Sequence, residues 1–402
     1  MKELRGPAAL ALALLAGAEL LGMGVWFTAS ALSGELQRTL DLSGGQATAL
    51  TALVQLGFVG GTALAALLNI ADILPARLYF AVSALLAGVS NAALVLAPDF
   101  GWAAATRLAT GVFLAGVYPP AMKMAATWFK ADRGLAIGAI VGALTLGKAL
   151  PYLGVGVDRL GWRTVVLAAS AFSIVGGLTV LAFYRDGPHV FERRPFAWNL
   201  VGEVARNRPV RLATAGYLGH MWELYAVWTA IQLFYRDVLS EHPAHGPGLA
   251  SLLAFSTIGI GAAGSLVAGR GADRWGRERI AALALLVSGS CALSVGWLQH
   301  ASLLLLVPVT WVWGFSVVAD SAQFSALVTE VAPRHAAGTA LTLQTSLGFL
   351  LTMVTIQGTP WLAERWGWGP AFSALAVGPA FGIVAMVRLA ALRRAGGQSQ
   401  GG

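Results

Sequence analysis

Twelve stretches of about 20 mainly apolar residues divide this chain, and each is long enough to cross a bilayer as a helix. Hydrophobic residues make up 57% of the 402 residues and charged residues 11%, whereas soluble proteins carry about 25% charged residues. Too few charges remain to cover the surface of a soluble protein of this length. The sequence therefore predicts an all-α membrane protein with twelve transmembrane helices. The predicted spans are 7–31, 46–70, 77–97, 101–126, 133–156, 162–184, 210–235, 248–269, 279–298, 301–327, 336–358 and 368–391.

The longest polar stretch, residues 185–209, lies midway along the chain between the sixth and seventh spans. Its Pro residues interrupt a helix, and its Arg residues favour water over the bilayer core. The sequence therefore predicts two six-helix bundles, residues 1–184 and 210–394, joined by a linker at 185–209. A disordered tail is expected at 395–402.

Most of the 27 Lys and Arg residues fall on one side of the predicted membrane, together with both termini and the linker. Basic residues favour the cytoplasmic side, so we expect a protein of the cytoplasmic (inner) membrane with both termini cytoplasmic. The first span could also be a cleaved signal peptide. Its apolar run is longer than usual for one, and Glu19 interrupts it, so we expect it to be retained.

The two halves of the chain share landmarks about half the chain apart. Glu19 in the first span is matched by Glu223 in the seventh, and each is followed by a Val-Trp pair. Residues 158–163 (DRLGWR) precede the sixth span, and residues 364–369 (ERWGWG) precede the twelfth. The matching order of these landmarks indicates duplication of a six-helix unit.

Residues 269–279 read GRGADRWGRER, which resembles the loop signature of the major facilitator superfamily. Residues 69–77 (NIADILPAR) are a degraded first-half copy, and residues 107–111 (RLATG) resemble the fourth-helix motif of that superfamily. The chain also loosely resembles the nitrate/nitrite and cyanate porter branches. The resemblance implies a monomeric transporter, not an enzyme, whose two bundles rock around a midplane site.

The loop signature predicts a gate. Glycines allow the chain to turn, and cations are favoured at helix C-termini. Asp273 can lie against the N-terminus of a neighbouring cytoplasmic helix, which the resemblance implies to be span eleven. Such a contact exists only when the cytoplasmic side is closed; alternatively, the charges only set the topology. The predicted gating residues are Asp72, Arg77, Gly269, Asp273, Arg274, Gly276 and Arg277.

Six ionisable residues fall within the predicted spans, although each costs about 2.5–3.5 kcal/mol at membrane depth. Five of the six lie on spans one, four, seven and ten, which line the central cavity in the family that the chain resembles. This placement predicts a polar functional site in the cavity. The six residues are Glu19, Arg107, Lys148, His220, Glu223 and Asp320.

Glu19, His220 and Glu223 are predicted to form a proton-coupling centre. Glu19 and Glu223 lie near the midplane of matched spans, and His220 is one helical turn before Glu223. A carboxyl group in a low-dielectric site can exchange a proton near neutral pH. The alternative is a structural contact between helices, such as Glu19 paired with Lys148.

Arg107 and Lys148 could attract an anionic substrate, or could instead pair with buried acids. Trp26 and Trp228 are interpreted as interfacial belt residues because they lie near outer helix ends. The predicted substrate-binding residues are Arg107, Lys148, Asp320, Gln323, Gln344, Trp222 and Tyr225.

The sequence therefore predicts a proton-coupled secondary transporter, acting by symport on a small anionic or zwitterionic solute. Alternatives are a proton-driven efflux antiporter for a lipophilic compound and, less favoured, a membrane-embedded enzyme. The expected partners are a small-molecule substrate and the lipid bilayer. No nucleic-acid partner, cofactor or metal is expected.

Overall fold

The computed structural model describes residues 6–68, 70–129, 133–157, 160–189, 196–240 and 248–398. Most of these residues are helical, and the described residues contain no β-strand. In the first half, the spans are Pro7–Met23 (one), Gly44–Leu67 (two), Ala76–Ala92 (three), Phe100–Leu114 with Tyr118–Ala126 (four), Arg133–Gly156 (five) and Trp162–Phe183 (six). In the second half, they are Arg208–Ser240 (seven), Leu249–Gly259 with Gly261–Trp275 (eight), Arg277–Ser294 (nine), Leu303–Ala319 with Ser321–Val331 (ten), Ala337–Trp366 (eleven) and Val377–Gln398 (twelve).

Shorter elements connect the spans. The short α-helices are Thr28–Ala31, Ser33–Leu40, Ile70–Ile73, Val201–Arg206 and Trp368–Ser373. The 3-10 helices are Ala93–Leu96, Trp198–Leu200, Val295–Leu298, Arg334–Ala336 and Ala374–Ala376. The end of the bundle at which span one begins and spans six and twelve end is here named the terminal side.

Ten helical stretches of the described chain are long and apolar enough to cross a membrane. Of the twelve predicted spans, only spans one and seven fall outside these ten stretches of the described chain. Pro7–Met23 has 17 residues, so it covers about 26 Å of a hydrocarbon core of about 30 Å. Arg208–Ser240 has 33 residues but is less apolar, because it carries buried polar groups such as His220 and Glu223. The prediction of an all-α membrane protein is confirmed, and the structure is consistent with twelve spans.

The predicted span 7–31 ends as a helix at Met23 and resumes only as the short helix Thr28–Ala31. Spans four, eight and ten are interrupted along their length. Span four breaks before Pro119 and Pro120, which lack the N–H that a helix interior needs but fit the first turn of a new helix. Span eight breaks at Ile260, between two glycines. Span ten breaks at Asp320, whose side chain points into the protein. The break therefore places a carboxyl group beside the free backbone groups of a helix end.

The two halves pack their spans in the same way. Span one packs on spans five and six as span seven packs on spans eleven and twelve. Span two packs on four as eight packs on ten, and three packs on six as nine packs on twelve. Between the halves, span two packs on eleven and span five on eight. This recurrence is what a duplicated six-helix unit would give.

Glycines bring some of these helices into backbone contact. A Cβ atom on Gly111 of span four would lie 2.1 Å from the carbonyl oxygen of Val54 in span two. A Cβ atom on Gly314 of span ten would lie 1.7 Å from that of Thr257 in span eight. Small residues that permit close approach are a usual feature of packed membrane helices.

The central linker is attached to both halves. The backbone N–H of His189 donates to the Thr127 carbonyl at 3.0 Å, and that of Ala197 donates to the Thr339 hydroxyl at 3.0 Å. At the other end of the chain, span twelve continues as a helix to Gln398. The expectation of a disordered tail from residue 395 is therefore wrong for 395–398, and 399–402 lie outside the described residues.

Candidate functional site

A cluster of buried aromatic rings lies where the two halves meet. Trp26 lies 5.0 Å from Phe58, 6.0 Å from Tyr225 and 5.6 Å from Phe349, measured between ring centroids. Spans two, seven and eleven thus meet the end of span one at this point. The cluster, named here the aromatic cluster, consists of Trp26, Phe27, Phe58, Tyr225, Trp228 and Phe349.

Lys148 of span five enters the aromatic cluster. Its Nζ atom donates to the Tyr225 hydroxyl at 2.5 Å and lies 3.9 Å from the Trp26 ring centroid. The residue is 1% exposed, and no Asp or Glu of the described chain lies within 4.0 Å of Nζ. Cation–π contacts stabilise a desolvated ammonium group. The rings carry no formal charge, so they supply no counter-ion for this side chain.

Glu19 of span one is fully buried, and neither carboxyl oxygen has a hydrogen-bond partner in the structure. Lys148 acts on it electrostatically without forming an ion pair. Buried polar atoms without partners are rare and point to water, a ligand or a proton-transfer role. Several other buried polar atoms of the described residues also lack a hydrogen-bond partner, among them Trp26 Nε1, Gln55 Oε1 and Nε2, Trp228 Nε1 and Gln344 Oε1.

His220 and Asp320 form a pair inside the second half. His220 Nδ1 lies 2.8 Å from Asp320 Oδ1, and both residues are at most 2% exposed. The other ring nitrogen, Nε2, is 3.0 Å from the Ser321 hydroxyl. The break in span ten allows both partners to reach one imidazole ring.

Glu223 occupies a separate site, although it lies one turn after His220. Trp313 Nε1 donates to one carboxyl oxygen at 2.6 Å, and the Ser288 hydroxyl donates to the other at 2.8 Å. Both donors belong to the second half. The structure thus does not bring Glu19, His220 and Glu223 together as the predicted centre.

Arg107 is held within the first half. Its guanidinium donates to Asn91 Oδ1 at 2.6 Å and to the carbonyl oxygens of Val25 at 3.0 Å and Trp26 at 2.6 Å. These hydrogen bonds hold the non-helical segment after span one against spans three and four. They favour the structural alternative for Arg107, and substrate contact by this residue stays a prediction.

The remaining predicted substrate-binding residues divide into two groups. Tyr225 lies in the aromatic cluster, and Gln344 is buried on span eleven with its Oε1 unpaired. Gln323 instead accepts a hydrogen bond from Arg277 at 3.0 Å. Trp222 donates to the Ala374 carbonyl at 3.1 Å beside span twelve. This hydrogen bond places Trp222 against the segment that leads into span twelve, and substrate binding by Trp222 stays a prediction.

Trp26 and Trp228 are 1% and 2% exposed. Their interpretation as interfacial belt residues is wrong, because the chain turns inward after span one and places both rings between the halves. Sequence reasoning also missed Gln55, Phe58 and Phe349. Gln55 could have been found as an uncharged polar residue within an apolar span, whereas the two Phe residues resemble ordinary lipid-facing residues.

The terminal-side loop signature packs against the other half. A Cβ atom on Gly134, at the start of span five, would lie 2.5 Å from Asp273 Oδ2. A Cβ atom on Gly269 would lie 2.9 Å from the Gly134 carbonyl oxygen. Asp273 thus lies at the N-terminus of span five and not of span eleven, which corrects the implied neighbour. Span five is the neighbour because it packs along span eight.

Charged side chains link Asp273 to span ten within the second half. Arg277 lies 3.8 Å from Asp273 and 2.7 Å from Glu330. Gly276 turns the chain between spans eight and nine with a φ of 91°, in a region that favours glycine. Arg274 lies over the Trp275 ring at 5.5 Å. The predicted gating residues of this loop are therefore close together.

The first-half copy of the loop is described less fully. Asp72 lies in the short helix Ile70–Ile73, but its side chain is outside the described part of the structure. Arg77 lies in the first turn of span three and is half-buried. A gating role for these two residues stays a prediction.

Two halves of six spans, with buried charges and unpaired polar atoms between them, define the class of membrane transport proteins that work by exposing a central site alternately. A family model described as the Major Facilitator Superfamily matches residues 14–356. The chain therefore belongs to the major facilitator superfamily.

Two curated relatives have transporter names. The chain is 26% identical over 256 residues to the MFS transporter asaE of Aspergillus flavus, a match that covers 61% of this chain and 54% of the relative. It is 24% identical over 257 residues to the hexuronate transporter of Escherichia coli K12, covering 58% of this chain and 59% of the relative. The matches thus span less than two thirds of either relative.

A solved structure with a similar fold is that of the human organic anion transporter MFSD10 (TETRAN). It superposes with a TM-score of 0.70 at 15% sequence identity, covering 95% of this chain and 100% of that chain. At this identity the similarity concerns the fold alone.

Proposed function

We propose that this protein is a secondary active transporter that moves a small organic anion or zwitterion across the membrane by alternating access. The observation that carries the proposal is Lys148, a cation that is buried between the two halves without an acidic partner in the described chain. A desolvated charge is costly unless it is paired. A bound carboxylate would provide the missing charge, and the surrounding rings would pack against its apolar part.

The names of two distant proteins agree with an anionic solute. The Escherichia coli relative is named for hexuronates, and the human structure is named for organic anions. Both names describe those proteins. For this chain, the choice of an anion rests on Lys148.

We further propose that Glu19 carries the coupling proton. Its carboxyl oxygens have no hydrogen-bond partner, and Lys148 acts on it electrostatically. An anion bound at Lys148 would weaken the cation's hold on the Glu19 carboxylate and favour its protonation, so solute and proton would move together by symport. Glu223 and the His220–Asp320 pair would form a second set of proton-binding groups within the second half.

The contact between Asp273 and the start of span five would form when the terminal side is closed and break when it opens. In this proposal the protein functions as a monomer in the cytoplasmic membrane with both termini cytoplasmic, and it catalyses no chemical reaction.

A second candidate function is proton-driven efflux of a lipophilic cation. The aromatic cluster and the unpaired Glu19 carboxyl group favour it, because rings and a carboxylate bind organic cations. The buried charge of Lys148 disfavours it by repulsion.

The test is uptake into proteoliposomes that contain the purified protein, with an acidic exterior. The solutes are radiolabelled glucuronate and benzoate, with glucose and tetraphenylphosphonium for comparison. We expect uptake of an anion that an uncoupler abolishes. The Lys148→Ala variant should lose it, and Arg38→Ala, which removes an exposed cation paired with Glu35, should retain it. Transport of tetraphenylphosphonium alone would overturn the proposal in favour of efflux.

A further inference from the structure

A charged cavity of about 520 Å³ lies at the terminal-side ends of spans eight, nine, ten and twelve. Two of its four arginines are neutralised within the protein. Arg277 lies 2.7 Å from Glu330, and Arg393 lies 2.6 Å from Glu278 and 3.3 Å from Glu330. These ion pairs neutralise Glu278 and Glu330, two acidic residues that line the cavity.

Arg279 and Arg394 line the same cavity and are exposed. Neither forms an ion pair or a hydrogen bond with any residue in the described part of the chain. Two guanidinium groups at one cavity, neither engaged, are suited to a phosphate group, which guanidinium binds through paired N–H donors.

An apolar groove of about 480 Å³ adjoins this cavity between spans eight, nine and ten. Trp275 lines both the cavity and the groove. The buried small side chains of Ala268, Ala284 and Ala319 pack together at its base. Val267, which lines the groove, is 57% exposed, so the groove opens towards the lipid.

The groove is long enough for an acyl chain. It extends along span eight from Trp275 to Ile260, which is about 22 Å at the helical rise of about 1.5 Å per residue. One leaflet contributes about half of a hydrocarbon core of about 30 Å. The groove is therefore long enough to cross one leaflet, with the charged cavity at its headgroup end.

We propose that the cavity and the groove together bind one anionic phospholipid, with its phosphate at Arg279 and Arg394 and an acyl chain in the groove. Basic pockets between membrane helices are suited to anionic headgroups. A free phosphate would leave the groove unfilled, and a purely apolar occupant would leave the two arginines unpaired.

Native mass spectrometry of the full-length protein in detergent tests this proposal. The probes are long-chain phosphatidylglycerol, dihexanoyl phosphatidylglycerol, phosphatidylcholine and glycerol 1-phosphate. We expect one long-chain phosphatidylglycerol to stay bound under activation that removes the other probes. In the double variant R279A/R394A, its affinity should fall about ten-fold or more.

The control is R163A/R365A, which removes two arginines stacked on Trp162 and Trp361 elsewhere in the protein, and it should bind phosphatidylglycerol normally. The melting temperature of each variant reports whether it folds. Equal retention of glycerol 1-phosphate would show a phosphate site that does not use the groove. Unchanged lipid binding by folded R279A/R394A, or equal retention of phosphatidylcholine, would likewise overturn the proposal.

Discussion

The ammonium nitrogen of Lys148 lies 2.5 Å from the hydroxyl oxygen of Tyr225, and this hydrogen bond joins the first half of the chain to the second. Span five carries the cation and span seven the hydroxyl. Any ligand that binds Lys148 therefore competes with, or adds to, a contact that holds the halves together. Under the proposed function, this contact would connect solute binding to movement of the halves.

Tyr225→Phe should lower the free energy of unfolding by about 1.5–3 kcal/mol, the range for a hydrogen bond to a charged group. The ring and its contacts remain in this variant. Reversible unfolding in mixed micelles measures the change. Tyr79→Phe is the control, because the Tyr79 hydroxyl has no hydrogen bond with the described residues, and it should differ little from the parent. Equal effects of the two variants would contradict the role of the bond.

Glu19→Gln should abolish accumulation of solute driven by a pH gradient while preserving exchange of labelled for unlabelled solute. The amide keeps the shape of the side chain but cannot take up a proton at this site. Flux assays in proteoliposomes separate the two activities. Glu35→Gln, at an exposed ion pair with Arg38, should keep both. Intact gradient-driven accumulation in Glu19→Gln would show that another group carries the proton.

His220→Ala should destabilise the protein by about 3–5 kcal/mol, because it leaves the buried Asp320 carboxyl group without its partner. The double variant with Asp320→Ala should cost less than the sum of the single changes. Unfolding in mixed micelles provides all three values. His335→Ala breaks an exposed pair with Glu203 and should cost at most about 1 kcal/mol. Additive single effects would mean that the pair contributes no coupling.

Asp273→Asn should speed amide hydrogen exchange at the start of span five about two- to five-fold. This range corresponds to the loss of about 0.3–1 kcal/mol between a negative charge and a helix N-terminus. Exchange measured by mass spectrometry on a peptide that begins at Gly134 checks it. Asp99→Asn is the control: it removes a negative charge at the N-terminus of span four and should leave exchange at the start of span five unchanged. No change at span five would indicate that the Asp273 charge does not stabilise the closed gate.

Gly314→Ala should destabilise the protein by about 1–3 kcal/mol, because the added methyl group overlaps the Thr257 carbonyl oxygen and forces spans eight and ten apart. The midpoint of thermal unfolding measures the effect. In Gly358→Ala the added Cβ atom has no neighbouring atom within 4 Å. This variant should leave the stability unchanged or raise it slightly. Similar losses in both would indicate that close packing is not the cause.

Sequence patterns predicted the spans well where one face of the helix meets lipid. They were less informative at spans one and seven, which are shorter or more polar because they meet the other half of the protein. The buried ionisable residues could be found by their cost in a membrane. Their hydrogen-bond partners could not be predicted from the sequence, because helix packing brings them together. Arg107 bonds to Asn91 and two backbone carbonyls, and Glu223 bonds to Ser288 and Trp313.

By itself the sequence determined the all-helical membrane fold, the repeated half and which residues are buried charges, because these follow from apolar length and from charge along the chain. Tertiary structure alone decided that Lys148 meets Tyr225, that His220 pairs with Asp320 and that Asp273 lies at span five. Each of these contacts depends on the rotation of one helix against another. That rotation is set by close packing between spans, such as Gly314 against Thr257, which no pattern within a single span specifies.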